Sequence, residues 1–292
     1  MRPVLFRFSL FNTHIEIGSY RFFLILAAVA GVGLAWSIAK RRGLPSRRTL
    51  ILLLSVAAAV PIGARLLHVA TNSNLYLREP ARLVSFEASG FALYGGLFAA
   101  VGVGAIAAWV LKLNLWRTAD SVIPALGISL AVIRIGCFLD GCCRGIASSL
   151  PWAVTYPTGS AQELIEQTGA LPGLGGALAE IVAKPQATHP IALYELAAAL
   201  AGVVFAAVLL RRRAADGVAF LSFALWYSVF RLVEHPLRVT GSDFGGPSWF
   251  YPALYIAAAV ASCVFLTIVT RRLDSAERVF DSSRSAIAAE RS

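Results

Sequence analysis

The sequence predicts an all-α protein: a polytopic membrane helix bundle of about seven transmembrane helices with a small extracytoplasmic subdomain. Composition and pattern both lead there. Of 292 residues, 58% are hydrophobic and 14% are charged, against about 25% charged in a soluble domain, and the mean hydropathy is +0.70. A chain this apolar would expose much greasy surface to water, whereas lipid accepts it. The pattern is a series of seven apolar runs near 20–39, 49–70, 89–111, 119–141, 191–210, 217–236 and 249–270. Each is close to the ~20 residues that a helix needs to cross the hydrocarbon core.

The first run is too long for a cleavable signal peptide and is halted directly by "KRRG", so it is expected to persist as a helix. The second carries Arg65 and His68, the third opens on "FALYGGLFAA", and the fourth closes on "IRIGCFLDGCCRG". The following loop contains "SLPWAVTYPTGSAQELIEQTGALPGLGG", too rich in polar, glycine and proline positions to span. It reads as an extracytoplasmic head insertion over 142–190, with room for one amphipathic helix on the membrane surface. Pro190 suits the first turn of the fifth helix. The sixth carries "WYSVFRLVEHPLR", and the seventh leads into a charged, mobile tail. The expected organisation is a transmembrane domain over 1–272, including the head insertion, and a cytoplasmic tail over 273–292.

Basic residues set the orientation. Lys40, Arg41, Arg42, Arg47, Arg48, Lys112, Arg117, Arg211, Arg212, Arg213 and five arginines after the last run fall on one side. The other side holds Arg2, Arg7, Arg21, Arg78, Arg82, Arg144, Lys184 and Arg238, despite having the longest loop. The positive-inside bias puts the N-terminus outside and the C-terminus in the cytoplasm, which requires an odd number of spans. The net charge of +10 is therefore read as membrane topology. No soluble basic face with interleaved aromatics is visible, which argues against a nucleic-acid partner.

Three basic residues, Arg65, Arg134 and Arg231, fall inside predicted spans. An ionised group at bilayer depth costs about 2.5–3.5 kcal/mol on insertion scales, so each is a candidate for function or for a structural ion pair. Arg65 lies one helical turn from His68 and suits a structural pair. Arg134 is surrounded by Gly136, Gly141 and Gly145, which lower helix propensity and predict an ending or unwound helix beside a polar cavity. A guanidinium there suits a phosphate, which it grips with two parallel hydrogen bonds. Tyr227, Arg231 and Glu234 share one helical face, so Glu234 either neutralises Arg231 or orients it toward a ligand. Glu195, just inside the fifth span, is expected to pair with an arginine or accept a proton. Tyr94, Gly95 and Gly96 read either as small-residue helix packing or as part of the same cavity. Such a cavity suits a phospholipid head group whose acyl tails stay in the bilayer.

The four cysteines, Cys137, Cys142, Cys143 and Cys263, form no CxxC pair. Three roles are open to them: a redox or metal site, an acceptor thiol, or close packing by small soft residues. Packing is the expected role. No metal or cofactor is expected.

These residues resemble one family, the prolipoprotein diacylglyceryl transferases of bacteria. The resemblance runs from about Tyr20 to Arg238, with the motifs in order. "TADSVIPALGISLAVIRIGCFLDGCCRG" is similar to the family signature, an Asp and a Pro before an Arg-x-Gly-Asn-Phe-x-Asn-Gly-x-x-x-Gly run. "HPIALYE" looks like its His-Pro-x-x-x-Tyr-Glu motif, "WYSVFRLVEHPLR" like its Tyr, Arg and Glu helix, and "YGGL" stands where the family has His-Gly-Gly. The resemblance implies an enzyme of the bacterial inner membrane that moves a diacylglyceryl group from phosphatidylglycerol to the lipobox cysteine of a prolipoprotein. It implies that Arg134 binds the phosphate and Arg231 steadies the leaving group. Tyr94 and Glu195 are carried over as the other catalytic candidates. Tyr20, Gly95, Gly96, Gly136, Asp140, Gly145, Tyr194, Tyr227 and Glu234 are carried over as substrate-binding.

The departures are Tyr94 for the family histidine, Cys137 and Asp140 for two asparagines, and Glu234 three residues after Arg231 rather than four. They leave the phosphate grip in place and leave the proton acceptor open among Glu195, Asp140 and a tyrosinate. Two other readings stand beside the transferase: a catalytically altered relative that binds anionic lipid, and a small-anion transporter. A transporter often carries inverted repeats, and no repeat is visible.

Overall fold

The computed structural model describes residues 4–10, 13–78, 80, 93–141, 143–156, 187–212, 214–238 and 249–290. Each of the seven apolar runs coincides with a helix. α1 is Ser19–Arg41, α2 is Ser46–Thr71, and a short α3 is Ser73–Arg78. α4 is Leu93–Val110, α5 is Leu115–Asp140, and α6 is Ile191–Arg211. α7 is Val218–Glu234, continued by a 3₁₀ turn at His235–Leu237, and α8 is Phe250–Glu290. Helices α1, α2, α5, α6 and the Phe250–Arg271 part of α8 are long and apolar enough to cross a membrane. The other two, α4 and α7, have 18 and 17 residues, about 26–27 Å at 1.5 Å per residue. The chain is thus an all-α polytopic membrane bundle. Residues 157–186 of the expected head insertion lie outside the described residues, and the backbone of the expected tail continues α8 to Glu290.

Two pieces of sheet join the helices. β1 (Val4–Leu10) and β2 (Thr13–Gly18) form an antiparallel hairpin before α1, with Phe8 opposite Ile15 and Arg7 opposite Glu16. The sequence reading assigned no strand there. The alternation in "VLFRFSL" and "THIEIG" is the two-residue period of a hairpin. β3 (Val154–Thr155) pairs with β4 (Ala187–Thr188).

Small residues let the helices approach. α1 packs along α5, α5 along α6, α6 along α7 and α7 along α8, while α2 pairs with α4 and touches α1. Lipid gives helices no hydrophobic drive to associate, so close backbone approach and interhelical hydrogen bonds hold them together. Ser129 Oγ on α5 donates to the Ala27 carbonyl on α1 at 2.9 Å, and Trp226 Nε1 on α7 donates to the Ala198 carbonyl on α6 at 2.9 Å. The outward faces carry exposed Ile25, Val29, Ile62, Leu66, Val204 and Val233, the surface that lipid covers and water does not.

The end of the bundle rich in basic loops is tied by one carboxylate. Asp120, buried on α5, accepts from the backbone N–H of Gly217 and of Phe220, both at 2.8 Å, and so caps the start of α7. Arg42 reaches the same corner, 4.0 Å from Asp120 and 3.5 Å from Asp216.

Candidate active site

The opposite end of the bundle gathers the ends of α5 and α7 and the start of α6. α5 runs unbroken through Gly136 and stops at Gly141, whose φ of 79° is left-handed and favours glycine. The expected unwinding is therefore confined to Gly141 and beyond. Gly136 stays helical because α1 lies against it: a Cβ there would stand 2.7 Å from Phe23 Cβ and 3.4 Å from Tyr20 Cα.

Beyond Gly141 the chain threads between two other segments. Gly145 N donates to the His189 carbonyl at 3.1 Å, and His189 N donates to the Ile146 carbonyl at 3.1 Å. Ile146 N donates to the Leu237 carbonyl at 2.9 Å, and Gly145 pairs with Arg238. A Cβ on Gly145 would stand 2.6 Å from His189 Cβ and 2.8 Å from the Leu237 carbonyl oxygen. Gly145 is thus needed for close backbone approach, and the three segments it joins lock the helix ends around a charged cluster.

Glu195 is the centre of that cluster and is fully buried. Its Oε2 pairs with Arg134 Nε, and its Oε1 pairs with Arg231 Nη1 and, at 2.5 Å, with Arg238 Nη1. Glu234, also buried, accepts from Arg231 Nη1 through Oε2 at 3.0 Å. Its Oε1 has no hydrogen-bond partner among the described residues and lies 3.8 Å from Arg238 Nη1. Arg231 Nη2 donates to Tyr255 Oη on α8 at 2.8 Å. Arg134 Nη1 contacts two sulfurs, Cys137 Sγ and Cys143 Sγ, each at 3.6 Å, and Tyr227 of α7 is near enough to interact with the guanidinium. Among the described residues, three guanidiniums against two carboxylates leave one positive charge over. Buried charges persist only where they are paired and hydrogen-bonded, so the residual charge makes this a place for an anion.

The structure thus brings together Arg134, Arg231, Glu195, Glu234 and Tyr227, with Gly145 in the backbone that closes the cluster. Tyr194, one position before Glu195, accepts from Trp152 Nε1 at 2.7 Å, and its hydroxyl lies 3.2 Å from His189 Nδ1. Asp140 is the half-buried last residue of α5, and Tyr20 stands in the first turn of α1. Gly95 and Gly96 are buried and turn to α2: a Cβ on Gly95 would stand 2.6 Å from Leu67 Cβ, and one on Gly96 3.1 Å from Val60 Cγ1. This close approach to α2 is what the packing reading of the two glycines expects. Tyr94 begins the same helix, but its side chain lies outside the described residues. Arg65 and His68 meet Tyr76 of α3, His68 Nδ1 lying 2.8 Å from the hydroxyl and the guanidinium 5.4 Å from the ring centre.

A family profile described as prolipoprotein diacylglyceryl transferase matches residues 3–272. The chain belongs to the prolipoprotein diacylglyceryl transferase family. The phosphatidylglycerol–prolipoprotein diacylglyceryl transferase of Geobacter sulfurreducens is 27% identical over 279 residues, covering 92% of this chain and 96% of its own. The protein of that name from Bacillus cytotoxicus is 27% identical over 250 residues, 85% of this chain and 86% of its own. That from Mannheimia succiniciproducens is 28% identical over 237 residues, 78% of each.

Four contributors to the cluster were not picked out from sequence. Arg238 was assigned to a loop, yet it stands four residues after Glu234, a spacing that signals contact when the turn stays helical. Tyr255 sits in an apolar run and carried no signal of its own. Cys137 and Cys143 were expected to pack; Cys137 is buried, and the sulfurs of both also face the guanidinium of Arg134.

Proposed function

We propose that this chain transfers the diacylglyceryl group of phosphatidylglycerol to the lipobox cysteine thiol of a prolipoprotein, releasing glycerol phosphate. The observation that carries this reading is the buried cluster, in which arginines outnumber carboxylates by one among the described residues, placed at helix ends where a lipid phosphate can sit with its acyl chains in the bilayer. In the reaction the thiolate sulfur forms a bond to the glyceryl carbon. The carbon–oxygen bond to phosphate breaks, and glycerol phosphate leaves with the electron pair. Arg134 grips the phosphate and Arg231 steadies charge as it develops on the leaving oxygen, the electrostatic role expected of preorganised donors. Glu195 fixes both guanidiniums, Tyr255 holds Arg231, and Tyr227 and Tyr194 line the cavity.

The acceptor thiol must lose its proton, since the thiolate is the nucleophile. Both oxygens of Glu195 are taken by arginines. Glu234 Oε1 keeps hydrogen-bonding capacity and is the better-placed acceptor among the described carboxylates, with Tyr94 the other candidate. The basic loops lie at the end of the bundle away from the cluster. This supports a multi-pass protein of the bacterial cytoplasmic membrane with its N-terminus and site outside and its C-terminus in the cytoplasm.

The test uses purified protein in lipid with phosphatidylglycerol and a lipobox peptide containing one cysteine. The peptide gains the mass of a diacylglyceryl group, and the gain disappears when its cysteine is replaced by serine. A peptide that stays unmodified while the protein remains folded overturns the reading.

A further inference from the structure

The transfer reaction uses the guanidiniums and carboxylates of the cluster, and leaves two thiols beside them unexplained. Cys137 is buried in the last turn of α5, and Cys143 is half-buried, two residues past the left-handed Gly141. That turn folds the chain back, so both sulfurs contact the same nitrogen, Arg134 Nη1, each at 3.6 Å. The sulfurs therefore lie no more than 7.2 Å apart, twice that contact distance. Other ionisable groups reach this spot from α7 and α6: Tyr227 lies near the Arg134 guanidinium, and Glu195 pairs with its Nε. Arg231 and Arg238 add further positive charge through Glu195.

A partly accessible sulfur beside a guanidinium is the setting in which cysteines react, because the guanidinium favours the nucleophilic thiolate. We propose that Cys143 and Cys137 form a thiol–disulfide exchange site at Arg134, open to small disulfides, whose oxidised form removes Arg134 from anion binding. The accessible Cys143 thiolate attacks one sulfur of the external disulfide and expels the first thiolate, leaving a mixed disulfide. Cys137 then attacks Cys143 Sγ and expels the second thiolate. Two protein thiols are oxidised to one disulfide, the external disulfide is reduced to two thiols, and the protons pass to the released thiolates. The new bond brings the sulfurs to about 2 Å. Arg134 Nη1 then loses its two sulfur contacts, and the segment 143–146, tied to His189 through Gly145 and to Leu237 through Ile146, shifts. The effect on anion binding rests on the reading of Arg134 as the phosphate grip; the exchange chemistry does not.

The experiment uses the full chain carrying Cys142→Ser and Cys263→Ser, so that the proposed pair holds the remaining cysteines. The protein is treated with oxidised glutathione and digested without reduction, and its peptides are weighed. In parallel, phosphatidylglycerol retained by the purified protein is quantified before oxidation, after oxidation and after dithiothreitol. The expected result is a Cys137–Cys143 bridge, a fall of about tenfold or more in retained lipid, and recovery on reduction. Adding Cys143→Ser abolishes the bridge and the response to oxidant. Absence of the bridge in folded protein, or a bridge that leaves lipid retention unchanged, overturns the proposal. If the reduced protein retains no phosphatidylglycerol at all, the phosphate-grip reading fails, while the peptide masses still decide whether the exchange site exists.

Discussion

Replacing Glu195 by glutamine keeps the shape of the side chain and removes the one charge that three guanidiniums share. The fully buried carboxylate pairs with Arg134, Arg231 and Arg238, so its loss leaves three arginines facing Glu234 alone and raises the surplus charge from one to two. Breaking a buried ion pair by removing one partner costs about 3–5 kcal/mol. One kcal/mol shifts a midpoint by about 2–4 °C in a chain of 150–250 residues, which gives a fall of about 6–20 °C. The assay is thermal unfolding of the detergent-solubilised protein followed by tryptophan fluorescence. Leu193→Ala serves as the control, since it lies two residues away on the same helix with a partly exposed side chain. A Glu195→Gln midpoint within about 2 °C of the parent, less than 1 kcal/mol on that scale, would refute the placing of Glu195 as the common counter-ion.

Other expectations follow from the same geometry. Tyr255→Phe removes the acceptor for Arg231 Nη2 and is expected to slow transfer about tenfold, the rate equivalent of roughly 1.4 kcal/mol, with little change in thermal midpoint; single-turnover kinetics check it. Asp120→Ala strips the acceptor from one buried and one partly buried backbone donor at the start of α7 and costs about 1–3 kcal/mol, seen as lower thermal stability, while lipid retained by the folded fraction stays unchanged. Gly95→Leu drives a side chain into Leu67 and the Gly63 backbone, and its expected outcome is loss of folded, membrane-inserted protein. Normal yield with reduced transfer would instead favour a ligand-facing Gly95.

The positions of the helices were legible because bilayer thickness fixes the length of an apolar run, and all seven runs coincide with helices. Arg134, Arg231 and Glu195 were legible for the reason that made them costly: a charge inside an apolar run demands a partner or a ligand. Gly95 and Gly96 were ambiguous, since close helix packing and close ligand approach ask for the same absence of a side chain. The hairpin of β1 and β2 was masked because it stands directly before a long apolar helix. Arg238 lies past the apolar run, and only the 3₁₀ turn at His235–Leu237 brings it back over Glu195. The contact of Cys137 and Cys143 with one guanidinium depends on the left-handed turn at Gly141, which a glycine permits and a sequence does not specify.

The most direct test of the central claim compares glycerol phosphate release by the parent chain and by Arg134→Ala, both folded in lipid with phosphatidylglycerol and the lipobox peptide. Release by the parent and a loss of about a hundredfold or more in the variant, the scale of removing one preorganised donor to developing charge, is the predicted result. Undiminished release by Arg134→Ala would contradict the assignment of the cluster as the phosphate-binding centre.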